Sequence, residues 1–254
     1  RVFLRFDAVN FYAEVYVNGL LGGKHETGFT PFEVDITNLV RFGEDNELVV
    51  GVRGPSLFDE GTARPYPAGS FWGAHACGIW QDVWLLSRPM VRIEDVFVTT
   101  SVRRRQARVQ LRLVNQDMFA HDVYLKNEIF GPAGGERFDR AGDLTPFEKA
   151  PLAKRLPLAS LRLQPYSAVT VTVADDWQEA QLWWPDRPLL YLLRTTVTEA
   201  GRAVDVLPTR FGFREVRVEG TQLLLNDVPL KLRGDAAHFL GVSQQSEQCA
   251  RLWY

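Results

Sequence analysis

The residue types most able to do chemistry in this chain are few: two cysteines and four histidines. Cys77 and Cys249 stand far apart and follow no metal-ligand spacing, so they predict neither a zinc site nor a disulfide framework. Two buried free thiols are the expectation. His25 and His121 read as surface residues, and His238, on its own, as a loop histidine satisfied by backbone. His75 falls in a long stretch, residues 54–78, rich in Gly, Pro and aromatics. Loops of that length inside a compact domain are functional or disordered, and Phe71-Trp72-Gly73 argues against disorder. The run Arg103-Arg104-Arg105 reads as a solvated turn.

The elements that would position these residues are strands. Ala13, Val15 and Val17 alternate with Glu14, Tyr16 and Asn18, the period-two pattern of a strand with one buried face. Asn18-Gly19 predicts a tight hairpin turn with positive φ. Pro31–Ile36 and Glu47–Val52 predict further strands, with a helical turn at Thr37–Val40 between them. Ile79–Leu86 reads as a buried strand, and Pro89 as a domain boundary. Beyond it, Val109, Leu111 and Leu113 alternate with Gln110, Arg112 and Val114. Val123, Leu125, Asn127 and Ile129 share one face. Short strands separated by turns over about a hundred residues predict an immunoglobulin-like sandwich. In the last region Asn226-Asp227 joins two apolar runs as a hairpin. Lys231-Leu232-Arg233-Gly234 then reads as the end of a strand and Ser246–Tyr254 as helical, the strand-then-helix order that opens a parallel α/β unit.

Composition sets the bounds. The 254 residues are 46% hydrophobic, 24% charged and 12% aromatic, with seven Trp and sixteen Phe. That balance fits about two globular domains. Aromatic enrichment suits β-sandwich cores and also sugar-stacking platforms. A formal net charge of −2 predicts neither a nucleic-acid partner nor an anionic membrane surface. No apolar run is long enough to span a bilayer. The chain opens in mid-strand without Met and ends in what reads as a helix cut short, so a fragment is the expectation.

Three stretches in order carry a resemblance. The first is Val15-Tyr16-Val17-Asn18-Gly19 with Gly28-Phe29-Thr30-Pro31-Phe32 and Asp35-Ile36-Thr37. The second is Gly78-Ile79-Trp80-Gln81-Asp82-Val83-Trp84-Leu85. The third is Arg210-Phe211-Gly212-Phe213-Arg214-Glu215 with Leu225-Asn226, Leu232-Arg233-Gly234 and His238. Between the second and third lie Trp183-Trp184-Pro185 and Pro188–Tyr191. Together they resemble glycoside hydrolase family 2, the β-galactosidases, β-glucuronidases and β-mannosidases. The resemblance covers nearly the whole chain. It implies a jelly-roll sugar-binding sandwich over residues 1–89, an immunoglobulin-like sandwich over 90–216, and the truncated start of a (β/α)8 TIM barrel over 217–254.

The resemblance also implies the chemistry: retaining hydrolysis of a β-glycoside by two glutamates about 5–5.5 Å apart at the ends of barrel strands. Neither Asn127-Glu128 nor Asn46-Glu47 fits the acid/base motif; the first reads as a surface pair in a sandwich and the second as part of a turn. No catalytic residue is therefore assigned, and no metal or cofactor is called for. Substrate-binding candidates are His238, just past the first barrel strand, with Asp235, Arg233, and Trp72 and His75 of the long loop. Asp235 stands where the family commonly has Asn before the His, and reads equally as a cap on the following turn. Arg233 reads equally as a structural ion pair. Trp72 would stack on a sugar face and His75 bond a hydroxyl; Phe71 reads as an interface plug. Trp80, Asp82, Trp183 and Trp184 read as structural. The implied partner is a carbohydrate, and a truncated sandwich predicts self-association, as a homo-oligomer or an aggregate. A non-hydrolytic carbohydrate-binding or scaffolding pair of sandwiches is the competing reading.

Overall fold

In the computed structural model of the chain, residues 1–54, 78–133 and 144–232 are described. They are mainly β and fall into two compact units, residues 1–88 and 89–232. The first unit carries β1 (Val2–Phe6), β2 (Val9–Asn10), β3 (Tyr12–Val17), β4 (Leu20–Glu26), β5 (Phe32–Asp35), β6 (Leu48–Arg53), β7 (Gly78–Ile79) and β8 (Val83–Ser87). They pair antiparallel as β5-β1-β8, β4-β3-β6 and β2-β7. Alternation delivers the core: Leu4 and Phe6 of β1 meet Ala13, Val15 and Val17 of β3, with Val34 and Ile36. Burying each of the larger side chains contributes about 1.5–3 kcal/mol. The β3–β4 turn is set by Asn18 (φ 52°) and Gly19 (φ 78°), left-handed at both positions as expected of a two-residue hairpin. The Asn18 side chain donates to Leu39 O at 2.8 Å and accepts from Glu47 N at 3.0 Å, tying the hairpin to the next connection.

One expectation fails in this unit. Residues 79–86 do not form one buried strand. They break at Trp80–Asp82, and β8 lies exposed, Leu85 at 70%. Its apolar run looks like a core strand, but among the described residues β8 is an edge of its sheet, paired with β1 alone.

The second unit carries β9 (Val91–Ser101), β10 (Gln106–Asn115), β11 (His121–Ala133), β12 (Leu152–Arg155), β13 (Ala159–Leu163), β14 (Ser167–Asp176), β15 (Leu190–Glu199), β16 (Arg202–Phe211), β17 (Val216–Glu219), β18 (Gln222–Leu225) and β19 (Val228–Pro229). One antiparallel sheet runs β14-β10-β9. A second runs β12-β11-β15-β16, with β13 also on β11. Ala107, Val109, Leu111 and Leu113 of β10 face Val123, Leu125 and Ile129 of β11 and Leu193 and Val197 of β15 in one core. The result is a two-sheet sandwich. Trp177 closes one end, edge-on to Tyr191 (4.7 Å) and Phe213 (5.6 Å). Asn115, fully buried, donates to Phe119 O and Gln164 O and accepts from Asp117 N, which pins the β10–β11 turn.

Strands β17, β18 and β19 form a meander. The Asn226-Asp227 hairpin is present, both residues left-handed (φ 51° and 68°). Lys231 and Leu232 are not in a strand. The expected barrel strand ending at Gly234 and the helix over 246–254 otherwise lie outside the described residues. So do Cys77 and Cys249.

Candidate functional site

All five substrate-binding candidates, Trp72, His75, Arg233, Asp235 and His238, lie outside the described residues, as does Phe71. The frame that carries the first two is visible. Phe11 N donates to Arg53 O at 3.1 Å, and Asn10 of β2 pairs with Gly78 of β7. The long segment therefore leaves and rejoins the first unit at one place. Around it Trp80 Nε1 donates to Gly28 O at 2.9 Å, and Phe29 sits edge-on to Trp80 at 5.8 Å. Gly28 allows a close approach here: a Cβ would lie 2.6 Å from Asn10 Oδ1, so the buried Asn10 side chain would have to shift. Phe29 and Trp80 are both well exposed, the second despite its structural hydrogen bond. Such rings are suited to stacking on a pyranose face, and sequence reasoning passed over Phe29 in this role. A signal was present in the Gly28-Phe29-Thr30 triplet, where a glycine allows close packing beside an aromatic.

In the second unit the described part of the third motif builds a joint around Glu215 and Asn226. Glu215 Oε2 accepts from Val102 N (2.7 Å), Ser101 Oγ (3.0 Å) and Arg103 N (3.2 Å), and Oε1 from Arg103 Nε (3.2 Å). Burial pushes this carboxyl up, but the Arg103 N–H and the other donors hold it below the usual range. Glu215 N donates to Asn226 Oδ1, and Asn226 Nδ2 to Trp183 O, both at 2.9 Å. The Arg214 guanidinium lies over the Trp183 ring at 4.4 Å, and Trp183 crowds Gly212, where a Cβ would meet it at 3.0 Å. Trp183 is thus structural, as expected.

Three residue-level expectations need correction. Asn127-Glu128 is not a surface pair; both residues are buried. Asn127 accepts from Thr195 Oγ1 inside the sandwich. Glu128 is paired with Lys126 (2.8 Å), Arg194 (2.7 Å) and Arg155 (3.3 Å). Hydrogen bonds from Lys126, then Arg194 and Arg155, outweigh burial and lower its pKa to about 2. That is opposite to the raised value a general acid needs, so Glu128 is unsuited to protonating a leaving group. His121 is half-buried between Glu199 (2.7 Å) and Asp117 (3.2 Å), and His25 stacks on Phe32 at 4.1 Å. The arginine run is a turn but only partly solvated: Arg103 holds Glu215, and Arg105 donates to Ala180 O. Among the described residues no cluster of three or more His, Cys, Asp or Glu is placed to hold a metal ion.

Two family models match end to end. Glycosyl hydrolases family 2, sugar binding domain, matches residues 1–89, and Glycosyl hydrolases family 2 matches residues 91–214. The chain belongs to glycoside hydrolase family 2. Relatives include the β-galactosidase of Clostridium acetobutylicum, 25% identical over 94% of this chain and 23% of that protein. The β-glucuronidase of Sus scrofa is 29% identical over 94% of this chain and 36% of its own length. The solved structure of Bacteroides uniformis β-glucuronidase is 25% identical with a TM-score of 0.72, covering 92% of this chain and 27% of that one. This family 2 chain thus spans between 23% and 36% of the length of these three relatives.

Proposed function

We propose that this chain is the non-catalytic front portion of a retaining β-glycosidase that hydrolyses O-glycosyl bonds of a carbohydrate. Residues 1–89 are its jelly-roll sugar-binding sandwich, 90–216 its immunoglobulin-like sandwich and 217–254 the start of its catalytic barrel. One observation carries the reading: two family 2 models follow one another along the chain, while the relatives extend well beyond the part matched. The acid/base and nucleophile glutamates belong to barrel strands further along such a polypeptide. His238, Asp235 and Arg233 at the barrel mouth, with Trp72 and His75 from the long loop, contact the sugar.

The test has two arms. The chain alone, given 4-nitrophenyl β-D-galactoside and β-D-glucuronide, releases no nitrophenol above buffer; turnover by the purified chain would sink the assignment of chemistry to residues elsewhere. In the longer polypeptide, His238→Ala and Trp72→Ala each lower kcat/KM by about tenfold or more, the loss of one hydrogen bond or stacking contact in the transition state. Unchanged kinetics in both variants would remove these residues from the site.

A further inference from the structure

A groove of about 710 Å3 opens on the second unit beside β9 and the end of β16. Four guanidinium groups line it: Arg104, Arg108, Arg210 and Arg214. The carboxylate in its wall, Glu215, is already occupied by Ser101, Val102 and Arg103. Among the described residues no carboxylate pairs with Arg104 or Arg108. Arg214 is stacked by one face on Trp183, which leaves its N–H edge to donate. A chain whose overall charge is −2 thus concentrates positive charge in one concavity.

The groove is more than a charge patch. Phe97 is 60% exposed in its wall, two residues along β9 from Thr99, which pairs with Arg108 across the sheet. An exposed ring beside hydroxyl and guanidinium donors matches a molecule with an apolar C–H face, hydroxyls and carboxylates together. We propose that this groove binds a carboxylate-bearing saccharide, its carboxylates forked by Arg104 and Arg108 and one pyranose ring stacked on Phe97. The site lies wholly in the second unit and stands whether or not the parent polypeptide hydrolyses a glycoside.

Calorimetric titration of the chain tests this with tri-galacturonate, neutral galactotriose and poly-L-glutamate as probes. Tri-galacturonate binds, and galactotriose binds at least about tenfold more weakly. The double variant Arg104→Ala/Arg108→Ala weakens tri-galacturonate binding at least about tenfold, as the loss of charge-assisted hydrogen bonds requires. Phe97→Ala weakens it several-fold. Arg104→Lys/Arg108→Lys keeps charge and fold but loses the fork, so it too binds more weakly, and it decides the matter should the alanine variant unfold. Three results overturn the proposal: no binding of tri-galacturonate by the folded chain, unchanged affinity in the lysine variant, or poly-L-glutamate binding as tightly as the saccharide and indifferent to Phe97→Ala. The last would make the groove a seat for an acidic polypeptide.

Discussion

Glu128 and His121 show how a single side chain carries pH into stability. Glu128 has a depressed pKa, so its contribution is present above the unfolded value of 4.5 and is lost as pH falls toward its folded value of about 2. Urea melts of wild type and Glu128→Gln between pH 7 and pH 2 should therefore converge at the acid end. At neutral pH the variant should be less stable by about 1–3 kcal/mol, the cost of removing a charged hydrogen-bond acceptor. Parallel curves over the whole range would contradict this. For His121, burial lowers the pKa, but Glu199 and Asp117 outweigh it and the net shift is upward from 6.5. Its contribution is complete below 6.5 and disappears as pH rises through the raised value. His121→Gln should thus be most destabilising below pH 6.5 and progressively less so as pH rises through the raised value, measured by thermal melting.

At the scale of elements, turns and hairpins carry the sharpest predictions. Asn226 is left-handed and both accepts from Glu215 N and donates to Trp183 O. Asn226→Ala should cost about 2–3 kcal/mol by denaturant melt, from two lost bonds and the backbone penalty, while Asn226→Gly should recover part of it. An alanine at Gly28 should be destabilising as well, since its Cβ would overlap Asn10. Much of this was legible in the sequence. The alternation at Ala13-Val15-Val17 and at Val109-Leu111-Leu113 gave β3 and β10, and Asn18-Gly19 and Asn226-Asp227 gave their hairpins. What was not legible depended on neighbours distant in sequence. An apolar run such as Val83-Trp84-Leu85 reads the same at a sheet edge as at its centre. Glu128 points away from the core yet is buried, because cations on three strands converge on it. The candidate sugar contacts were named from a resemblance, and their places belong to residues 55–77 and 233–254, so the frame at Phe11, Gly28 and Trp80 is the part of that site the fold adds.

For the molecule as a whole, the exposed edge of β8 sets behaviour in solution. Val83, Trp84 and Leu85 are all more than two-fifths exposed on a strand that, among the described residues, pairs on one side only. Edges of this kind pair with other chains. Sedimentation velocity should show a concentration-dependent shift to larger species, and Leu85→Lys should abolish it. A monodisperse monomer across the accessible concentration range would show that the edge is harmless.

The clasp of Glu215 on the arginine turn reaches further than packing. Backbone amides in an exposed turn ordinarily trade their protons for solvent deuterons quickly, yet those of Val102 and Arg103 are held by a carboxylate 113 and 112 residues away in the chain. Their exchange rates therefore register whether the joint between the sandwich and the Asn226 hairpin is closed. Slow exchange at these two amides would serve as a built-in clock for the opening of that joint, and Glu215→Gln should make it run fast.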